Sequence, residues 1–226
     1  MPIPKKTETI NRTTAKERVY TILQQWIVDG TLEPGERLND ADLAKYFSVS
    51  RTPVREAIQM LNEQKLVEIV PSSGTFVAPI NQEDIKHVYQ LLGGLQALAL
   101  KHCIGTVTAE DLEHLNSLNE NFLRCAQMGA VPATIEADYQ FHRYLCQLSG
   151  NPYLVNYSDQ LSIHVSRNEN RFFKIYTTPE VSYASHKRII EALRSGDLET
   201  AQTEIEANWA VSTMQNEGQT AGSVPR

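Results

Sequence analysis

Apolar positions in the first third of the chain recur at helical spacing. Val19, Ile22, Leu23 and Ile27 form one stripe between Thr14 and Asp29, and Gly30 ends it. Pro34-Gly35 marks a turn. Asn39, with Asp42 three residues later, reads as a capping-box-like start to a short helix holding Leu43, Ala44 and Phe47. Ser50 is placed to cap a third helix. Pro53 falls in its first turn, where a missing N–H costs little, and Ala57, Ile58 and Leu61 form its buried face. The period then changes. Leu66-Val67-Glu68-Ile69-Val70 and Thr75-Phe76-Val77 read as two strands joined by the turn Pro71-Ser72-Ser73-Gly74. Three helices followed by a hairpin is the order of a winged helix, and Pro79 breaks the chain behind it.

After Asn81 the pattern is helical throughout. Asn81 with Asp84, and Thr108 with Asp111, are capping-box-like starts. Leu112, Leu115, Leu118, Phe122 and Cys125 make a helical stripe. Further helices are predicted over about 132–148, 152–174, 179–195 and 198–215, separated in part by Gly150-Asn151-Pro152 and Ser195-Gly196-Asp197. The predicted architecture is an N-terminal winged helix-turn-helix, mainly α with a small β-hairpin, plus an all-α antiparallel bundle of about six helices. The expected boundaries are a disordered basic arm over 1–12, the winged helix over 13–79, the helical domain over 80–216 and a disordered tail over 217–226.

Charge sharpens this division. The chain of 226 residues has a net charge of −6, which by itself argues against a nucleic-acid partner. Residues 1–78, however, hold 10 Lys+Arg and 10 Asp+Glu, so the whole excess falls in the C-terminal part, which has 11 basic and 17 acidic residues. The first eighteen residues carry Lys5, Lys6, Arg12, Lys16 and Arg18 against only Glu8 and Glu17, a distribution compatible with DNA. No apolar run approaches the roughly 18 residues of a membrane span, and MPIPKKTETINR has no apolar core of a secretory signal. Cys103, Cys125 and Cys146 are odd in number and fit neither a disulfide framework nor a zinc-finger spacing, so the expected compartment is the reducing cytoplasm.

The segment Val49-Ser50-Arg51-Thr52-Pro53-Val54-Arg55-Glu56-Ala57 places Arg51, Thr52 and Arg55 at a helix start. A helix N-terminus attracts phosphate, and arginine is the bidentate reader of guanine. The alternative is a solvated face in which both arginines pair with Glu56. The order Gly30-Thr31-Leu32-Glu33-Pro34-Gly35-Glu36-Arg37-Leu38, Leu43-Ala44, VSRTPVREAIQML, Leu66-Val67 and Gly74-Thr75-Phe76-Val77 resembles the GntR family of bacterial regulators over about residues 14–78. That resemblance implies DNA contacts from Ser50, Arg51, Thr52 and Arg55, and a minor-groove approach by Gly74 at the wing tip. Some relatives carry a further arginine at the position of Ala41.

In the bundle, Asp138 and His142 share one helix face, four residues apart. His186 lies on the apolar side of its own helix with Ile189, Ile190 and Leu193. Asn208 follows Leu198, Ala201 and Ile205, and His164 follows Leu154, Tyr157 and Leu161 in the same manner. Nitrogen and oxygen donors from separate helices can meet around an ion in a bundle. The run Ala137-Asp138-Tyr139-Gln140-Phe141-His142-Arg143, with Ser149-Gly150-Asn151-Pro152 and Ser185-His186, resembles the FCD subgroup, the FadR-like members of that family, over about residues 81–215. The resemblance implies a divalent metal such as zinc, nickel or manganese on Asp138, His142 and His186. The fourth position holds Asn208 where relatives carry histidine. Either Asn208 completes a weaker site, His164 takes its place, or the metal has been lost. Leu92 and Gln96 stand where many relatives carry an arginine and a glutamate, the arginine often holding a carboxylate effector. Arg143, Arg167 and Arg171 remain as anion contacts.

The expected function follows from both halves. It is a homodimeric, cytoplasmic, sequence-specific regulator, by family habit a repressor. Its binding to a double-stranded DNA operator would be controlled by a small-molecule effector such as an organic acid, with the metal taking part. A DNA-binding dimer with a metal-free effector pocket, or with no effector, is the alternative. An enzyme is not expected, because the chain shows no nucleophile motif, phosphate loop or Rossmann signature.

Overall fold

A computed structural model describes residues 14–176 and 179–217, with side chains described for 14–172 and 179–210. The basic arm expected over 1–12 and the tail expected over 217–226 lie outside the described residues, apart from Glu217. The chain divides into two units, Met1–Ile27 with Thr31–Pro79, and Val28–Gly30 with Ile80–Arg226.

The first unit holds α1 (Ala15–Val28), β1 (Arg37–Leu38), α2 (Asp40–Phe47), α3 (Arg51–Glu63), β2 (Val67–Val70) and β3 (Gly74–Val77). Val19, Leu23 and Ile27 of α1 bury against a core that includes Ala44, Val54, Ala57, Ile58, Leu61, Leu66 and Val67. Ile22, expected in that stripe, is instead 36% exposed, because it sits a helical step away from Leu23. The expected hairpin is a three-stranded antiparallel sheet in the order β1-β3-β2. The extra strand pairs Arg37 with Phe76 and Leu38 with Thr75. Two residues are too few to show an alternation, so β1 has no signature in the sequence and exists only through its pairing with β3.

The second unit holds α4 (Gln82–Cys103), α5 (Ala109–Gln127), α6 (Val131–Leu148), α7 (Pro152–Tyr176), α8 (Pro179–Ser195) and α9 (Leu198–Glu217). Asn81 caps α4, its side chain accepting from the Glu83 amide at 2.9 Å. Thr108 and Asp111 form a reciprocal capping box on α5. α4 packs against α6, α7 and α9, while α5 packs against α6 and α8. Leu92, Leu100, Leu115, Phe141, Leu145, Ile189, Ala201 and Ile205 fill the centre. Cys103 and Cys146 are buried and free in that core, and burial pushes both thiols up to about 11, so they behave as small apolar groups. Among the described residues no helix is long and apolar enough to cross a membrane.

Candidate nucleic-acid interface and buried ligand cluster

In the winged helix, Asn39 caps α2 by accepting from the amides of Ala41 at 2.9 Å and Asp42 at 3.5 Å. Ser48 then takes a left-handed conformation, φ 54°, which ends α2 and turns the chain into α3. Ser50 occupies the N-cap of α3, but its hydroxyl makes no capping bond and is exposed. Arg51, Thr52 and Arg55 are likewise exposed on the first turns of α3. The arginines do not pair with Glu56. Both reach Asp40 at the start of α2: Arg51 Nη2 donates to Oδ1 at 2.8 Å and to Oδ2 at 3.0 Å, and Arg55 Nε donates to Oδ2. These bonds hold the Asp40 carboxyl below the usual carboxylate range. One carboxylate thus fixes two guanidinium groups of net charge +1 beside a helix N-terminus. Gly74 opens β3 with φ 129°, a conformation side chains rarely adopt.

Asp40→Asn is expected to free both arginines and leave them at +2. Affinity for unrelated DNA should rise, and preference for a selected duplex over an unrelated one should narrow by roughly fivefold, about 1 kcal/mol for exposed pairs. Paired titrations of the two duplexes measure this, and an unchanged ratio would contradict it.

In the bundle, α6 and α8 bring Asp138, His142 and His186 together, their donor atoms all within 4.8 Å of one another. Asp138 Oδ2 lies 3.6 Å from His142 Nε2, and Oδ1 lies 3.6 Å from His186 Nε2. Those distances are too long for hydrogen bonds. They match the edge of a tetrahedron around an ion with bonds near 2.1 Å, which is roughly 3.4 Å.

The outer nitrogens of both rings are fixed. Gln96 Oε1 accepts from Trp209 Nε1 at 2.9 Å and faces His142 Nδ1 at 2.8 Å. Indole N–H can only donate, so the Gln96 atom is the oxygen and His142 Nδ1 must carry the proton. Asn119 Nδ2 donates to the Tyr183 carbonyl at 3.1 Å, which turns Oδ1 to His186 Nδ1 at 2.9 Å. His186 Nδ1 is therefore also a donor. Both Nε2 lone pairs point toward Asp138, and His186 Nε2 is a buried atom without a hydrogen-bond partner. Phe141 stacks on His186 at 4.0 Å and Trp209 packs on His142 at 4.5 Å, which holds the rings in place.

Burial lowers the His142 pKa to about 3 and lowers that of His186 well below its ordinary value. Burial also raises the Asp138 carboxyl to about 7. The donor set of one carboxylate and two neutral imidazoles, with outer nitrogens tied to amide oxygens, fits a divalent transition metal.

The other expected donors fall differently. His164, half-buried on α7, is not among the three residues whose donor atoms converge. α7 turns Ser158, Ser162, Val165 and Asn168 into the core, and His164 precedes Val165 by one step. Asn208 is half-buried at the flank of the α9 face defined by Ala201, Ile205 and Trp209, and the α9 residue packed on His142 is Trp209. Arg143 binds Asp159 through Nε at 3.1 and 3.2 Å, tying α6 to α7. Arg171 is exposed, 6.0 Å from the Phe172 ring. Only Arg167 enters the bundle, 5% exposed, with its pKa lowered to about 10 by burial and then by Arg171.

Sequence reasoning missed Asn119, Trp209 and Glu169, and named Gln96 only as a departure from relatives. Glu169 follows buried Val165 by four residues, a spacing that was available. Burial and the neighbouring Asp138 raise its pKa well above the usual value.

The fold and the arginine-bearing α3 define a winged-helix DNA-binding protein with a second, all-helical domain. Residues 15–77 match the bacterial regulatory proteins of the gntR family, and residues 87–210 match the FCD domain. The chain belongs to the gntR family and is one of its FCD-domain transcriptional regulators, not an enzyme. It is 29% identical over 196 residues to the uncharacterized HTH-type transcriptional regulator YdhC of Bacillus subtilis, covering 84% of this chain and 85% of YdhC. It is 26% identical over 191 residues to the HTH-type transcriptional repressor RspR of Escherichia coli, covering 83% and 84%. A solved GntR regulator from Rhodococcus sp. RHA1 superposes with a TM-score of 0.70 at 25% identity, over 92% of this chain and 99% of that one.

Proposed function

We propose that the chain is an operator-binding repressor, acting as a cytoplasmic homodimer, whose DNA affinity is set by a small-molecule effector coordinated on a divalent metal. The convergence of two Nε2 lone pairs and the Asp138 carboxylate carries this reading, because the orphaned His186 Nε2 has no other occupation. Bound there, the metal supplies a Lewis-acidic centre with coordination positions left for effector oxygens. Zinc, nickel and manganese are the candidates, with Asn208 as the weaker fourth donor.

Arg167 is the cation best placed to accompany an acidic effector, since Leu92 is fully buried where relatives carry arginine. RspR is named a repressor, which supports that sign of control. Leu91 and Leu98, seven residues apart on α4 and 56% and 42% exposed, support self-association through that face. Two copies would set two α3 helices against two half-sites. Ser50, Arg51, Thr52, Arg55 and Gly74 are the DNA contacts.

The test is elemental analysis of the chain purified without added metal, followed by operator titration with and without chelator and effector. About one ion per chain and metal-sensitive DNA binding are expected. Metal-free protein that zinc, nickel and manganese fail to load would overturn the metal part of the reading.

The binding should depend on pH with a defined sign. Both histidines are already neutral near pH 7, so the ion displaces no proton from them. Asp138 holds a proton up to about 7 and must lose it. Apparent metal affinity is expected to rise about tenfold per pH unit below that value, with roughly one proton released per ion, and to level above it. Calorimetry in two buffers of different ionisation enthalpy counts the protons; a count near three would show that the imidazoles begin protonated.

A further inference from the structure

Arg37 has no part in the helix-turn-helix motif. It opens β1, is exposed, and pairs through its backbone with Phe76. Its guanidinium lies across the wing turn: a Cβ on Gly74 would come within 3.0 Å of Arg37 Nε and 3.3 Å of Nη2. The bare backbone of Gly74 is what leaves room for it. Arg37, Asp40, Arg51, Arg55 and Gly74 share the wall of one open concavity of about 440 Å³. Asp40 is committed to Arg51 and Arg55, and among the described residues Arg37 has no ion pair. Its charge is thus uncompensated, and its guanidinium lies against the backbone of Gly74.

We propose that Arg37 clamps a DNA phosphate between the groove entered by α3 and the groove approached by the wing. A recognition helix reads the major groove, and a wing beside it meets the neighbouring minor groove. The sugar-phosphate backbone runs between the two grooves, so a guanidinium standing between α3 and Gly74 faces phosphate rather than base edges. Arginine suits the role because its planar donors match phosphate oxygens in pairs. Arg37 would therefore add affinity without adding sequence preference. This assignment rests on the DNA-binding reading of α3 and the wing.

The experiment uses the full chain. The native protein first selects a duplex from a randomised pool. Native, Arg37→Ala and Arg37→Lys proteins are then titrated with that duplex and with an unrelated one of equal length, between roughly 50 and 200 mM salt. Arg37→Ala is expected to weaken both duplexes by a similar factor, about three- to tenfold, and to reduce the salt slope by about 1. Arg37→Lys should restore most of the slope, since it keeps the charge. Unchanged affinity and slope in Arg37→Ala, or a changed base preference at constant slope, would overturn the assignment. Failure of the native chain to enrich any duplex would strike the operator reading itself, and Arg37 with it. Arg37 is exposed, so an unchanged melting temperature confirms that each variant is folded.

Discussion

Replacing His186 by alanine is expected to lower bound divalent metal from about one ion per chain to none. His186 is fully buried, its Nδ1–H is spent on Asn119, and its Nε2 faces Asp138 at 3.6 Å. Removing one of the three converging donors leaves Asp138 and His142 with only the weaker Asn208 amide beside them, too few strong donors to hold the ion. The substitution also removes a ring stacked on Phe141, so some loss of stability accompanies it. Asp138→Asn separates the two effects: it keeps the shape, removes the charge and should abolish binding with little change in packing. Elemental analysis and native mass spectrometry measure stoichiometry. Thermal melting adds a second readout, because an ion at 100 times its Kd stabilises the native chain by about 2.7 kcal/mol. Both variants should lose that increment while the native chain keeps it. Undiminished stoichiometry in the two variants would move the ion to other residues.

The elements were legible because their signals are local. The α6 face that carries Asp138 and His142 follows from a spacing of four, and the Thr108–Asp111 capping box and the turn residues are read within a few positions, whereas Asn39 and Asn81 cap their helices without a reciprocal bond. β1 was not legible, since two residues carry no period and owe their conformation to β3. The Asp138, His142 and His186 cluster was legible where its side chains sit on apolar stripes, as His142 and His186 do.

Its supporting shell was not. Gln96 and Asn119 are neutral amides on core faces, and nothing in the sequence tells a buried amide that orients a histidine from one that fills a core. Their roles appear only when Trp209 and the Tyr183 carbonyl fix which end of each amide faces the ring. Asp40 was invisible for a related reason. Its partners lie 11 and 15 residues away across the helix-turn-helix turn, and no helical or strand spacing links them.

Asp40 governs the expected effect of removing the DNA-reading arginines. Arg51→Ala or Arg55→Ala alone should cost roughly 1–3 kcal/mol of specific binding if each reads a guanine. The pair should not be additive, because the two share one carboxylate. With both arginines present the cluster carries +1; with one it is neutral; with neither, Asp40 presents −1 beside the phosphates. The double variant is therefore expected to bind even an unrelated duplex more weakly than either single variant does, beyond the loss of sequence preference. Adding Asp40→Ala to the double variant should return part of that non-specific affinity while leaving preference lost. Titrations of the five proteins against a selected and an unrelated duplex, at one fixed salt concentration, separate the contributions. Equal non-specific affinity in the double and triple variants would show that Asp40 does not face the DNA, and that the two arginines lean on it away from the interface.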